Sequence, residues 1–125
     1  MSKNLLFIIG TRPELIKIFP IINQLKKINY TNYKIVSTGQ HKDLLESYWK
    51  VFDITPDYEL EIINKGQSLT QLTSRAIIAI ENLLNELNPT FIPDVIISQG
   101  DTTTVMASSM VAFYKQIKFA HVPAV

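Results

Sequence analysis

A parallel α/β sheet, covered by helices on both faces, is predicted by three features of the 125-residue sequence. Short, continuous apolar runs recur along the chain, as strands buried on both faces require. The run before Gly10 and the run before Gly100 each end abruptly on that glycine, with a helix start behind it. Between the runs, apolar residues return every three or four positions, the spacing of a helix with one buried stripe. Strands alternating with helices pair in parallel through right-handed crossovers. The expected fold is therefore a Rossmann-like, three-layer, doubly wound sheet, with residues 1–125 as a single domain.

Each element follows in order. Residues 4–9 form the first strand, rich in Leu, Ile and Phe. Thr11 as N-cap, Pro13 and Glu14 then favour a helix start, and Leu15, Ile18, Phe19, Ile22 and Leu25 supply the apolar stripe, with Pro20 expected to kink the helix. Residues 33–37 read as a second strand, 38–40 as a turn, and 41–52 as a helix carrying Leu44, Leu45, Tyr48 and Val51 inward. Residues 58–63 alternate like a short edge strand. The longest helix is expected over 67–87, with Leu69, Leu72, Ala76, Ile80, Leu83 and Leu87 on one face, closed off by Pro89 and Pro93. Residues 94–98 are a strand, 99–102 a turn of the same kind as the one at Gly10, 103–116 a helix whose small residues allow close packing, and 119–122 a fifth strand. In the order 3-2-1-4-5 the strand sequence reverses between the first and fourth strands, and ligands of such sheets bind beyond the carboxyl ends of the strands at that point. The Gly10 and Gly100 loops are thus expected to face each other there.

Composition narrows the function classes. Hydrophobic residues make up 46% and charged residues 18%, the profile of a globular domain. Twelve Lys plus Arg against eleven Asp plus Glu leave a formal charge of +1, so a phosphate-tracking nucleic-acid surface is not expected. A nucleotide needs only one or two placed cations and stays open. With no cysteine in the sequence, disulfides, thiolate zinc sites, iron–sulfur clusters and cysteine nucleophiles are excluded, and no metal site is expected. The apolar run Leu5 to Ile9 is too short for a signal-peptide core or a membrane span, which points to a cytoplasmic protein with no membrane partner. The sequence has no internal repeat, low-complexity segment or linker.

Two loops carry the candidate chemistry. Gly10-Thr11-Arg12-Pro13-Glu14 joins a glycine, a helix N-terminus and a guanidinium. Free N–H groups and the helix dipole favour an anion there, and Arg12 can grip a phosphate through two parallel hydrogen bonds. Alternatively, Thr11, Pro13 and Glu14 only start the helix, and Arg12 points to solvent. Lys17 lies three residues after Glu14 on the same helix face, where a surface ion pair is the plainer reading. Gln40 and His41 follow the second strand, and His41 can either contact a ligand or cap a helix. Asp101 ends a buried strand beside Gly100 and Thr102, placed to act as a general acid or base or as an N-cap.

Several motifs together resemble a known family. GTRPE at 10–14 with Lys17 behind it, TGQH at 38–41, PDYELEI at 56–62, GQSLTQLT at 66–73, and QGDTTT at 99–104 followed by AFY at 112–114 are similar to the N-terminal domain of the non-hydrolysing UDP-N-acetylglucosamine 2-epimerases. They occur in the family's order along essentially the whole chain, and Pro13-Glu14 favours the non-hydrolysing branch. The resemblance implies the N-terminal half of a two-domain GT-B-type fold. It also implies interconversion of UDP-GlcNAc and UDP-ManNAc without an external cofactor, for polysaccharide biosynthesis, usually in a homo-oligomer. Carried over by motif, Arg12 would contact the UDP phosphates within a substrate-binding set of Gly10, Thr11, Pro13, Glu14, Gly100 and Thr102. Lys17 and Asp101 would be the catalytic groups near the reacting sugar, and Gln40 and His41 would lie near a regulatory UDP-GlcNAc site.

The resemblance breaks at one place. Where the family continues HVEAGLRT, this sequence reads His121-Val122-Pro123-Ala124-Val125, so Pro123 stands in place of a glutamate. The break resembles a frameshift, a premature stop or a truncation, and the expectation is that the second domain is absent and the isolated chain inactive. A different class of function is a catalytically silent anion-binding or assembly module acting with a separate chain. A response-regulator receiver, of similar length and strand count, is rejected because no acidic pair ends the first strand to hold magnesium.

Overall fold

Right-handed crossovers decide which face each helix takes, and the strand order turns that rule into a three-layer structure. The computed structural model describes residues 2–39 and 42–124, with only the backbone of residues 42–44. Its elements are β1 (Leu5–Ile9), α1 (Arg12–Lys27), β2 (Tyr33–Ser37), α2 (Lys42–Val51), β3 (Tyr58–Glu59), α3 (Leu69–Leu87), β4 (Val95–Gln99), α4 (Thr103–Tyr114) and β5 (Lys118–Val122). The sheet order is β3-β2-β1-β4-β5, and every pairing is parallel. From β1 the chain steps outward to β2 and β3, then returns across the sheet to β4 and β5. Helices α1 and α2 therefore cover one face, and α3 and α4 the other.

The alternation of side chains along each strand feeds both layers. Leu6, Ile8, Val36 and Ile96 pack with Leu72, Ala76, Ile80 and Leu83 of α3 and Ala107 and Val111 of α4. Phe7, Ile9, Ile35 and Ile97 pack with Leu15, Ile18 and Ile22 of α1 and Leu45 and Trp49 of α2. The small residues of α4 serve the close packing expected of them, with Ala107, Ser108 and Ala112 fully buried. Among the described residues no helix is long and apolar enough to cross a membrane.

Several expectations are corrected. The edge strand stops at Glu59, not at Ile63: β2 ends at Ser37, whose carbonyl accepts from the Leu60 amide at 2.7 Å, and beyond that point there is no strand to pair with. Ile62 instead turns into the α3/α4 core. Helix α1 spans Arg12 to Lys27 with Pro20 inside it. Pro20 is exposed, so the carbonyl that loses its N–H partner lies on the solvent side, where water can satisfy it. On α2 the buried line is Leu45 and Trp49, while Val51 is 75% exposed; Leu44 lies outside the side chains described. Leu69 is likewise exposed, because α3 begins there behind a capping box, in which Ser68 Oγ accepts from the Gln71 amide and the Gln71 side chain accepts from the Ser68 amide.

Candidate functional site at the carboxyl edge of the sheet

The ladder between β1 and β4 pairs Leu5, Leu6 and Phe7 with Val95, Ile96 and Ile97 and stops there, although the strands continue to Ile9 and Gln99. The two strands thus part at the place where the strand order reverses. Side chains span the gap: Ser98 Oγ donates to the Ile8 carbonyl at 3.0 Å, and above it Glu14 joins the loops. Glu14 is 2% exposed. One carboxylate oxygen accepts from the Gly10 amide at 2.9 Å, and the other from Thr11 Oγ1 at 2.7 Å and Thr102 Oγ1 at 2.9 Å. Burial pushes its carboxyl above the ordinary value, while the bonds from Thr11, Gly10 and Thr102 pull it back down.

This arrangement revises the expected anion cradle. The Gly10 amide is already occupied by the protein's own carboxylate, and Thr11, in the N-cap position, makes no side-chain bond to a helix amide. Its hydroxyl is turned to Glu14 instead. Thr11-x-x-Glu14 has the spacing of a capping box, a sequence signal for the local Thr11–Glu14 bond but not for the burial of Glu14. Gly10 is required for packing: a Cβ built there would lie 2.2 Å from Thr104 Oγ1 and 2.8 Å from Thr38 Oγ1. Those two hydroxyls, 3.1 Å apart, fill the space beneath the loop; each lies in a motif of the resemblance, but nothing in the sequence pairs them.

The remaining predicted residues lie around this link. Arg12 is exposed, and its guanidinium lies over the Tyr48 ring, 5.4 Å from the centroid. Tyr48 in turn adjoins Phe52, which stacks on Phe19, so an aromatic row from α1 and α2 supports the cation. Pro13 is exposed in the first turn of α1, and Lys17 is exposed one turn further on. Gln40 and His41 lie outside the described residues.

On the β4 side, Gly100 adopts φ +95°; its amide donates to the Val122 carbonyl at 2.9 Å and its carbonyl accepts from His121 Nε2 at 2.6 Å. Asp101 is exposed, and the N-cap of α4 is Thr102, not Asp101. Asp101, Thr102, Ser109 and His121 line an open groove of about 330 Å³ with Val105, Met106 and Phe119. The structure thus brings the two loops together, with Glu14 and Thr102 joined between them, while Arg12, Lys17 and Asp101 are each exposed. Pro123 is exposed, and its carbonyl accepts from Nε2 of the buried Gln99 side chain at 3.3 Å.

Known proteins share this fold and sequence. The sequence model of the UDP-N-acetylglucosamine 2-epimerase family matches residues 23–124. The chain belongs to this family. Among its relatives, the 2-epimerase of Escherichia coli K12 is 42% identical over 119 residues, 95% of this chain, and that of Campylobacter jejuni is 39% identical over 124 residues, 99% of this chain. The chain spans 31% of the length of each. The crystal structure of the Neisseria meningitidis 2-epimerase bound to UDP-GlcNAc superposes with a TM-score of 0.83 at 38% identity, covering 94% of this chain and 31% of that one. The Staphylococcus aureus MnaA–UDP co-structure gives 0.85 at 35% identity, covering 97% of this chain and 31% of that one. The five-stranded parallel sheet described here corresponds to the part these 2-epimerases share with this chain.

Proposed function

We propose that this chain forms one side of the active-site cleft of a non-hydrolysing UDP-N-acetylglucosamine 2-epimerase. The observation that carries the reading is the junction of the Gly10 and Gly100 loops through Glu14 and Thr102. It lies at the edge where such sheets take their ligands, and Arg12, Lys17 and Asp101 are exposed residues of the elements it joins. The reaction removes the C2 proton of UDP-GlcNAc as the C1–O bond breaks and its electron pair departs with UDP. This leaves a C1–C2 double bond. Return of UDP to C1 and of a proton to the opposite face of C2 gives UDP-ManNAc, with no net oxidation and no cofactor consumed. A guanidinium held over an aromatic ring keeps its N–H fork for a phosphate, which assigns Arg12 to the diphosphate. Gly10, Thr11, Pro13, Gly100 and Thr102 frame the pocket. Asp101 supplies a carboxylate that can exchange a proton, and Lys17 a cation against the charge that develops on the leaving group. The same reading carries a cytoplasmic location and a homo-oligomer.

Elimination needs these groups and those of the facing domain held together around one sugar. The test is an epimerisation assay on the 125-residue polypeptide, alone and mixed with the C-terminal two thirds of a complete relative. The polypeptide alone is expected to bind UDP weakly and to turn nothing over, with Arg12→Ala weakening UDP binding about tenfold through loss of the charge-assisted bonds. Addition of that fragment is expected to give turnover. Turnover by the polypeptide alone would overturn the requirement for a two-sided cleft, and absence of UDP binding would overturn the site.

A further inference from the structure

We propose that Glu14 is a positioning residue: its buried carboxylate, shared by Gly10, Thr11 and Thr102, sets the separation of the two ligand-facing loops and does not itself contact the ligand. The inference builds on the nucleotide-sugar site proposed above, but its physical basis is independent of the ligand.

The backbone ladder that would hold the loops in register ends at Phe7 and Ile97. The next residues of the two strands are joined by one side-chain bond, Ser98 to Ile8, and the loops themselves by Thr102 to Glu14 at 2.9 Å. Three donors converge on one carboxylate, and the protein's own groups occupy both oxygens. Each donor sits on a different structural unit or at its boundary. Gly10 ends the β1 segment, Thr11 begins α1, and Thr102 begins α4 and immediately follows Asp101. Glu14 is on the same helix as Arg12 and Lys17, so the link fixes Asp101 relative to both cations. Because a carboxylate only accepts hydrogen bonds, it can hold two hydroxyls and an amide at once. The geometry also leaves little slack, since Gly10 is pressed against Thr104 and Thr38 from below.

The test reads amide hydrogen exchange and UDP affinity in the 125-residue chain. In Thr102→Val, which keeps the side-chain shape and removes the hydroxyl, exchange at the Gly10 amide relative to the Ile8 amide is expected to rise about tenfold, the size of one lost charge-assisted bond. UDP affinity is expected to fall about fivefold or more, since ligand contacts depend on the loops being held in place beforehand. Thr102→Ser, which restores the hydroxyl, should return both quantities to within about twofold of the parent. Ser108→Ala removes a buried bond to the Thr104 carbonyl inside α4 and should lower global stability without moving the Gly10 to Ile8 ratio. If Thr102→Val does not fold, Glu14→Asp, one methylene shorter, replaces it with the same expected direction. An unchanged Gly10 to Ile8 ratio in the hydroxyl-deleted chain, or an equal change in Ser108→Ala, overturns the proposal. Should the parent chain fail to bind UDP, the site reading falls, and the exchange ratio still decides whether Glu14 holds the loops.

Discussion

The loops after β1 and β4 look like one motif written twice, an apolar strand, a glycine and a helix opened by threonine, yet different forces shape them. Gly10 is glycine because there is no room for a side chain: Thr104 and Thr38 occupy the space a Cβ would need. Gly100 is glycine because of its backbone, at φ +95°, and nothing lies closer than 3.9 Å to the position of its missing Cβ. At the first loop the Gly10 amide is bound to the protein's own carboxylate, Glu14. At the second, Thr102 makes no cap bond to its helix and reaches across to Glu14 instead, while Asp101 beside it stays open to a groove. The same pattern of residues thus builds a packed anchor on one side and an open ligand-facing turn on the other.

That contrast breaks if the two glycines respond alike to alanine. Gly10→Ala forces a methyl to within 2.2 Å of Thr104 Oγ1 and is expected to cost about 3 kcal/mol or more, the upper range of overpacking. Urea unfolding measures it, and Thr104→Ala should recover part of the loss, because it removes the nearest atom. Gly100→Ala makes only an ordinary van der Waals contact, with Glu14 Cγ at 3.9 Å, and costs about 1–2 kcal/mol, the penalty of a left-handed backbone for a residue with a Cβ. Thr104→Ala should not relieve it. Rescue of Gly100→Ala by Thr104→Ala, or indifference of Gly10→Ala to it, would remove the distinction.

Most of the fold was legible because periodicity reports burial. The strands at Leu5, Tyr33 and Val95 and the stripe of α3 from Leu72 to Leu87 are set by apolar spacing, and the sheet order follows from chain alternation and crossover handedness. The end of β3 was not legible: alternation continues to Ile63, whereas pairing is limited by the partner strand, which ends at Ser37. Nor was the choice of Trp49 over Val51 for the core, since both fit a helical stripe within a turn of each other. At the site, local chemistry pointed to Gly10, Arg12 and Asp101 as members of two loops. What it did not provide was direction. Glu14 looked like a first-turn acid paired with Lys17, and only the approach of Thr102, 88 residues away in sequence, turns it inward. The support of Arg12 by Tyr48 is equally non-local.

The smallest expected effect concerns the charge on Glu14, and it sharpens the contrast between the packed loop and the open one. Burial raises its carboxyl above the 4.5 of an exposed group, by more than its hydrogen bonds lower it. Above pH 4.5 and up to the raised value, the folded chain therefore holds more protons at this position than the unfolded chain. Stability then falls as pH rises through that window. The contribution of Glu14 is greatest below the unfolded value and is lost on passing the folded one. Glu14→Gln has no such ionisation, and a glutamine can still accept from the Gly10 amide and donate to the hydroxyls once these rotate. Urea midpoints of the parent and of Glu14→Gln, measured at pH 5, 6, 7 and 8, share the titrations of every other group, so their difference isolates this one. The glutamine variant is expected to gain on the parent as pH rises towards the raised value. A parent that instead gains on Glu14→Gln with rising pH would mean that the three donors outweigh the burial, and that the carboxylate is ionised in the packed loop at a net benefit to the fold.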